Sequence, residues 1–463
     1  MTIHIELSGS GSGAGRPKYL AIADAIEAAV MGGTAGPDEP LPTQRELAGR
    51  LGVTVGTVTR GYAEAARRGL VRGETGRGTF VMSQQGSGRD GFAAVGRSGG
   101  RSDGRSGMTV DLGLTAPLVS MAPDLARTLA DVAAEPDLRE LLGRPEPRGL
   151  PRHRRAGAQW AALHGMDPDP DDVLVCAGAQ HAILVAMAGL FAPGDRVAVE
   201  SLAYPQVRPV AKRLRLELVP LVMDEFGVTP EALASACAGE SVRGLYVTPS
   251  CQNPTMARMP GHRRQEIADI CRARDILIVE DDVYRLMADT TLPPLSRLAP
   301  EQGCFVASTS KVLADGLRVA FLCAPPGTAK RLEAALEATV WVTAPLMAEI
   351  VSRWIMDGAA QRAVAANRIE AAARARITDE VLEGHPVRTD PAAGFAWLPL
   401  PRPWRSVEFA QAAAERGVIV AHMEHFAVGG SQPVQAVRLS LCGAPDRDTL
   451  RAGLDVLAEL LRW

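Results

Sequence analysis

The stretch GCFVASTSKVLADGLR, residues 303–318, joins a short apolar run to a lysine set among polar residues. Its first part, 305–307, has the length and composition of a buried β-strand. Ser308, Ser310 and Lys311 follow directly, and Arg318 comes seven residues after the lysine. In open α/β sheets ligands bind at the carboxyl ends of the strands. The stretch therefore predicts a buried strand with a candidate binding site at its end.

Further short apolar runs alternate with helical stretches such as 261–274. The runs that read as buried strands are 173–175, 197–199, 245–247, 276–279 and 319–322. Such alternation predicts a mostly parallel sheet covered on both faces by helices, with ligands at the strand ends. The larger part of the chain is therefore expected to have an α/β fold.

Composition narrows the class of protein. The chain has 463 residues, a length that indicates several domains. Its 46% hydrophobic content, 22% charged content and net charge of -3 are typical of an ordinary folded protein, neither disordered nor wholly basic. Its seven cysteines are scattered and form no metal or redox motif. We expect free thiols, no metal, no membrane segment and a cytoplasmic location.

The N-terminal part carries a helix-turn-helix pattern. Apolar residues at helical spacing between 19 and 30 predict a first helix. Thr43, with Glu46 three residues later, makes a capping box for a second helix, and Gly52 makes the turn before Thr54 starts a third. A glycine-tipped hairpin follows. Between 41 and 82 seven arginines stand against three glutamates, which indicates a local phosphate-binding surface.

Two low-complexity stretches divide the chain. Residues 1–15 are expected to form a flexible N-terminal tail, and 83–107, rich in Gly, Ser and Arg, a flexible linker that buries too little surface to fold. The predicted domains are then 16–82, which binds DNA, and 108–463, which carries the sheet.

The larger domain offers each group that pyridoxal phosphate (PLP) requires. The cofactor needs an amine, a carboxylate at its ring nitrogen, donors to its phenolic oxygen, and donors with positive charge at its phosphate. Candidates follow predicted strands in turn: Ala179 and Gln180 at a helix start, Asn253, Asp281 and Tyr284, then Ser308, Ser310, Lys311 and Arg318. We predict a PLP site from their order.

The segments LPTQRELA (41–48), LGVT (51–54) and GRGTFV (76–81) resemble the winged helix-turn-helix of GntR-family regulators. By that resemblance Arg45, Thr54, Thr57 and Gly76 fall on DNA-contacting positions. Many members have arginine where this chain has Val55, and Arg60 is a candidate substitute.

The cofactor motifs resemble fold type I aminotransferases, with a smaller C-terminal α+β subdomain. The resemblance implies that Lys311 forms the imine, Asp281 pairs with the pyridine nitrogen, and Asn253 and Tyr284 bond the phenolic oxygen. It further implies a phosphate site made by Ala179, Gln180, Ser308, Ser310 and Arg318. Tyr204 would stack on the ring, and Arg438 would grip a carboxylate of the ligand.

Two positions depart from the aminotransferase pattern. Met256 stands where glycine is usual, and Ala179 replaces a hydroxyl residue. Neither change touches the imine chemistry. His181 lies beside the phosphate loop, where a packing role is favoured over proton relay.

A winged helix linked to an aminotransferase-like domain resembles the MocR subgroup of GntR regulators. The resemblance implies a homodimeric regulator of promoter DNA that senses PLP or an amino compound forming an imine with it, and that controls genes of vitamin B6 or of amino acid or amine metabolism. In that subgroup such compounds include gamma-aminobutyrate and taurine. The alternative is an active aminotransferase with an appended, autoregulatory DNA-binding domain. The effector, the operator and the sign of regulation stay open.

Overall fold

The computed structural model describes residues 18–31, 39–67, 70–74, 78–81 and 109–462, without 137, 240, 289, 392 and 430–433. The chain divides into two compact units, 1–103 and 104–463. The predicted tail 1–15, the predicted linker 83–107 and Gly76 lie outside the described residues.

The N-terminal unit is a three-helix domain with a two-stranded hairpin. Its elements are α1 (Lys18–Met31), α2 (Gln44–Leu51), α3 (Val55–Arg67), β1 (Val71–Glu74) and β2 (Gly78–Val81). Thr43 caps α2 through the capping box with Glu46, and Gly52 ends it with a left-handed φ of 59°. Leu47, Val58 and neighbouring apolar side chains fill a small core. The predicted helix-turn-helix and hairpin are present.

A seven-stranded sheet forms the centre of the larger unit. The strands are β4 (Val173–Cys176), β5 (Arg196–Glu200), β6 (Glu217–Leu221), β9 (Val242–Val247), β10 (Leu277–Asp281), β11 (Gly303–Ser308) and β12 (Ala320–Cys323). Their order is β4-β12-β11-β10-β9-β5-β6, and β12 alone runs antiparallel to both of its neighbours. Each apolar run quoted above lies within or overlaps one of these strands, as predicted.

Helices cover this sheet on both faces. They are α4 (Ala122–Ala133), α5 (Arg139–Leu142), α6 (Pro151–Leu163), α7 (Ala179–Leu190), α8 (Val207–Leu214), α9 (Pro230–Gly239), α10 (Gly261–Arg274), α11 (Arg285–Ala288), α12 (Leu295–Leu298), α13 (Ala329–Glu337), α14 (Pro345–Met356) and the long α15 (Ala359–Val381). A two-stranded ribbon joins β6 to α9 and consists of β7 (Met223–Asp224) and β8 (Gly227–Val228). Apolar clusters lie on either side of the sheet, so its central strands are buried on both faces, while the edge strand β6 is partly exposed.

A second, four-stranded sheet forms the smaller subdomain. Its strands are β3 (Val110–Leu112), β13 (Phe395–Pro399), β14 (Val418–His422) and β15 (Ala436–Ser440), in the order β13-β15-β14-β3. Its helices are α16 (Ser406–Glu415) and α17 (Arg447–Leu461). Because β3 pairs in parallel with β14, the subdomain combines residues from both ends of the larger unit. The predicted C-terminal α+β subdomain thus also includes a strand from residues 110–112.

Among the described residues, no helix combines the length and the apolar character needed to span a membrane.

Candidate functional site

The predicted cofactor residues converge at one edge of the large sheet. Asn253 follows β9, Asp281 ends β10 and Ser308 ends β11, and these three strands are parallel neighbours. Their carboxyl ends therefore meet at the same edge. Lys311 lies three residues beyond β11, so the sheet topology brings together residues that are far apart in the sequence.

Asp281 presents a buried carboxylate oxygen that no described residue bonds. Its Oδ2 accepts a hydrogen bond from the hydroxyl of Tyr246. Its Oδ1 is buried and has no hydrogen-bond partner among the described residues. Burial raises the pKa of Asp281 to about 6. A buried polar atom left unpaired is costly, so this oxygen is suited to a donor supplied by a ligand.

Lys311 lies at the wall of a small cavity, where its Nζ donates a 2.9 Å hydrogen bond to the carbonyl of Thr115. Burial lowers the pKa of Lys311, and the guanidinium groups of Arg438 and Arg318 lower it further. A lowered pKa increases the fraction of neutral amine, which is the nucleophilic form.

Asn253 and Arg438 are bonded to each other. The Nη1 of Arg438 donates to the Oδ1 of Asn253 over 2.9 Å. This bond uses the carbonyl oxygen of the carboxamide, and the NH2 group of the same side chain carries its two donors. The hydroxyl of Tyr284 lies 2.8 Å from Thr115 Oγ1, and burial raises the pKa of Tyr284 above its usual value. Two candidate donors to a phenolic oxygen are thus held in place.

Arg438 is a buried cation with no carboxylate partner among the described side chains. Its Nη2 donates to the carbonyl of Gly113, its Nε is buried without a partner, and its guanidinium lies 5.0 Å from the ring centre of Phe426. Burial lowers the pKa of Arg438. A guanidinium in this setting is suited to an anionic ligand, because a charge-assisted bond would offset its desolvation.

The start of α7 forms a cradle with Arg318. Gly178 precedes α7 with a φ of 86°, and a Cβ atom built on it would lie 2.7 Å from Nη2 of Arg318. Ala179 and Gln180 form the first turn, so their backbone N–H groups are not used within the helix. The Oγ of Ser310 is buried and has no hydrogen-bond partner in the part of the chain that the structure describes. Free N–H groups, a hydroxyl and a guanidinium are what a phosphate group requires.

Three further residues named from the sequence, Tyr204, His181 and Met256, have different surroundings. Tyr204 is partly buried against the apolar core, and burial raises its pKa to about 12. His181 accepts a hydrogen bond from the N–H of Ala177 and bonds Thr339, and burial lowers its pKa to about 4. A neutral ring fixed on both sides agrees with the packing role. Met256, at the departure from the family pattern, adopts a left-handed φ of 64°.

One segment of the site, the residues after β3, is not among the residues predicted from the sequence. The carbonyls of Gly113, Leu114 and Thr115 accept from Arg438, Ser440 and Lys311 respectively. Buried Asn367 on α15 anchors the same segment by accepting from the N–H of Leu118 at 2.6 Å. No local signal identifies these contacts, because each joins residues about two to three hundred positions apart.

The predicted DNA-contacting residues that the structure describes lie on α2, in the turn that follows it and on α3. Arg45 is exposed on α2. Thr54 and Thr57 share a 2.9 Å hydroxyl contact, and the N–H of Thr57 donates to Thr54 Oγ1, which caps α3. The guanidinium of Arg60 lies 4.4 Å from the ring centre of Tyr19 on α1. The helix-turn-helix therefore presents a cation and hydroxyls on α2 and the start of α3.

The residues at the sheet edge fit PLP on two observations of this structure. The unpartnered Oδ1 of Asp281 can accept from a protonated ring nitrogen, and the cradle at Gly178 leaves no room for a Cβ beside Arg318. A winged helix-turn-helix and an aminotransferase-type sheet in one chain define a class of DNA-binding proteins with a cofactor-type domain.

Comparison with known families agrees with this class. Residues 110–457 match the family model described as aminotransferase class I and II, and residues 18–81 match bacterial regulatory proteins, gntR family. The chain belongs to the aminotransferase class I and II family and, with its N-terminal domain, is a GntR-family transcriptional regulator of the MocR type.

Individual relatives match along nearly the whole chain. YdeF of Bacillus subtilis, an uncharacterized HTH-type transcriptional regulator, is 30% identical over 446 residues, 96% of this chain and 95% of that protein. PdxR of Corynebacterium glutamicum, an HTH-type pyridoxine biosynthesis transcriptional regulator, is 27% identical over 451 residues, 95% and 94% of the two chains. Among solved structures, the alpha-aminoadipate aminotransferase LysN from Thermus thermophilus aligns with a TM-score of 0.70 at 25% identity, over 76% of this chain and 92% of that one.

Proposed function

We propose that this regulator senses PLP, or an amino compound that reacts with bound PLP, and thereby changes the affinity of its N-terminal domain for promoter DNA. The observation that carries the proposal is a pair of groups at neighbouring strand ends: a buried carboxylate oxygen of Asp281 without a partner among the described residues, and a partly buried Lys311 with a lowered pKa. Both occur in a chain that also carries a winged helix-turn-helix.

The residues of the sheet edge would divide the binding of PLP among them. When bound, PLP supplies an aldehyde that condenses with amines. Asp281 would accept from the ring nitrogen, and Lys311 would supply the protein's amine. Asn253 and Tyr284 would donate to the phenolic oxygen, and Tyr204 would cover the ring. The phosphate would be held at the start of α7 by Ala179, Gln180, Ser308, Ser310 and Arg318.

Arg438 limits the class of effector. Its buried guanidinium lacks a carboxylate partner among the described residues, which favours an amine that also carries a carboxylate or sulfonate. The name of PdxR connects that relative with pyridoxine biosynthesis. We therefore place the target genes in vitamin B6 metabolism or in the metabolism of amino acids and amines.

Sensing requires binding and a shift of population, not turnover. A ligand that binds one state of the regulator more tightly shifts the equilibrium toward that state, and DNA affinity changes with it. Catalytic transamination remains the second candidate, because the site holds the full set of Lys311, Asp281 and Arg438. We assign the domain to sensing, since an enzyme has no need of the DNA-binding domain.

A spectral titration with parallel DNA binding tests the proposal. The purified full chain is loaded with PLP and titrated with amines that have or lack a carboxylate, while promoter affinity is measured by fluorescence anisotropy. We expect carboxylated or sulfonated amines to change the spectrum and the DNA affinity together. Sustained turnover near the common enzyme median of about 10 per second, with a keto-acid acceptor, would instead support the aminotransferase. A chain that binds neither PLP nor DNA contradicts the proposal.

A further inference from the structure

Val55 is the first residue of α3 and is unusually exposed. Its side chain is 43% exposed, and no other large apolar side chain is this exposed in the described part of the N-terminal unit. Other apolar residues of α3, such as Val58 and Tyr62, are buried in the core of the unit. Burial in the unit does not explain an apolar side chain at this position.

The polar side chains nearest to Val55 are already engaged within the unit. Thr54 and Thr57 bond to each other at 2.9 Å. Thr59, one turn along α3, donates to Gln44 Oε1 at 2.7 Å and to the carbonyl of Val55 at 3.0 Å. Arg60 lies over the ring of Tyr19. The start of α3 therefore presents an apolar group flanked by hydroxyls that have internal partners.

Gly56 leaves space beside Val55. A Cβ atom built on Gly56 would meet only Thr54 Oγ1, at 3.9 Å, so this side of the helix start is open. In a helix-turn-helix the N-terminal residues of the second helix contact base edges in the major groove. A base edge can consequently approach Val55 closely on the side of Gly56.

The chemistry of the major groove selects a partner for such a side chain. Guanine, cytosine and adenine present only hydrogen-bond donors and acceptors there, whereas thymine also presents a 5-methyl group. Val55 can neither donate nor accept through its side chain, so the methyl group is the one feature it can recognise favourably.

We propose that Val55 contacts the 5-methyl group of a thymine and thereby makes a T·A pair a preferred element of the operator. This inference rests on the proposed function, in which the N-terminal unit binds duplex DNA. Val55, and not the Arg60 guanidinium, then supplies the base readout at the start of α3, and Arg60 supports the packing of α1 on α3.

The first experiment removes the methyl group from the DNA. Tight-binding duplexes are selected from a random pool with the full chain, and each thymine of the selected site is replaced in turn by uracil, which keeps base pairing. We expect one thymine for each bound copy of Val55 at which uracil weakens binding about fourfold, the effect of exposing one methyl-sized group. A 5-methylcytosine·guanine pair at that position should bind more tightly than cytosine·guanine.

The second experiment removes the methyl groups from the protein. Val55→Ala should weaken binding to the selected site and abolish the difference between thymine and uracil at that one position. Val407→Ala serves as the matched control, because Val407 is 46% exposed and lies in the larger unit. The control should keep the full uracil effect.

The outcomes separate this inference from the function on which it rests. If selection enriches a site but no thymine shows a uracil effect that Val55→Ala removes, the assignment of Val55 is wrong while DNA binding stands. Loss of the uracil effect in Val407→Ala as well would also overturn the assignment. If no duplex is enriched, the proposed function fails, and this inference fails with it.

Discussion

Asp281 and Arg438 illustrate, at the scale of single residues, how the site departs from what folding alone would favour. Each is a buried ionisable group with an atom that has no hydrogen-bond partner among the described residues. Such groups lower the stability of a fold unless a ligand completes them. Both interact electrostatically with Lys311, and two such groups around one lysine mark a binding site more strongly than residue type does.

Replacing Asp281 by Asn should raise the stability of the cofactor-free chain and weaken its binding of PLP. Burial raises the pKa of Asp281 from 3.8 to about 6, so the unfolded chain releases this proton at a lower pH than the folded chain. The contribution of Asp281 to stability is thus complete below pH 4 and is lost as the pH rises through 6. At pH 7 the cofactor-free Asp281→Asn variant should be about 2–3 kcal/mol more stable than the parent chain in urea unfolding.

The same variant should bind PLP more weakly, because a neutral carboxamide does not favour a protonated ring nitrogen. In urea unfolding with saturating PLP, the stability advantage of the variant over the parent chain should accordingly become smaller or reverse. A variant that is less stable than the parent at pH 7, without PLP, would show that Asp281 carries no burial penalty.

At the scale of elements, the strands of the large sheet were predictable and the contacts among loops were not. Buried parallel strands are apolar throughout, so apolar runs such as 305–307 are recognisable in the sequence as strands. The polar residues directly after such runs then predict where the site lies. Strand β3 has only three residues and pairs with β14, about three hundred positions away. Its register depends on tertiary packing, and so do the contacts of Thr115 and Asn367.

Gly178 makes the start of α7 suitable for a phosphate, and Gly178→Ala tests this. The added Cβ would lie 2.7 Å from Arg318 Nη2 and would displace the guanidinium. We expect PLP to bind about tenfold to a hundredfold more weakly, the effect of one lost charge-assisted hydrogen bond, while pyridoxal, which lacks the phosphate, is little affected.

Gly194→Ala provides the control for Gly178→Ala. Gly194 has a similar left-handed φ of 93°, but a Cβ built on it meets nothing within 4 Å. This control should lose some stability from backbone strain and keep its affinity for PLP. Equal losses of PLP affinity in both variants would refute a specific phosphate cradle at Gly178.

At the scale of the whole molecule, the chain has two compact units. We therefore expect one substitution to weaken DNA binding and another to weaken PLP binding, each without affecting the other property. Arg45→Ala should weaken promoter binding about tenfold, the range of one good phosphate or base contact, and leave the PLP spectrum unchanged.

Lys311→Ala should abolish covalent attachment of PLP and the response to effector, and leave basal DNA binding intact.

Mass spectrometry after borohydride reduction and fluorescence anisotropy measure the two properties in both variants. Lys330→Ala is the control for the lysine, because Lys330 is exposed on α13. A covalent PLP adduct in Lys311→Ala, or unchanged DNA affinity in Arg45→Ala, would contradict the corresponding assignment.

We further propose that the chain acts as a homodimer. Large apolar side chains of the bigger unit are exposed, with Leu142 at 84%, Ile369 at 71% and Met356 at 59%. Sedimentation of the PLP-loaded chain should give twice its mass of 49.0 kDa. A monomer that retains bound PLP would contradict the dimer.

The carbonyls of Gly113 and Thr115 would compete with a ligand for the side chains of the site. They accept hydrogen bonds from Arg438 and Lys311, the two groups that a ligand would use. Entry of a ligand is therefore an exchange of partners. A carboxylate or sulfonate would replace the neutral carbonyl favourably at Arg438, because its negative charge adds a Coulomb attraction to the guanidinium that a carbonyl lacks. An amine without an anionic group would gain nothing from Arg438, so we expect the chain's own backbone to discriminate among metabolites by their charge.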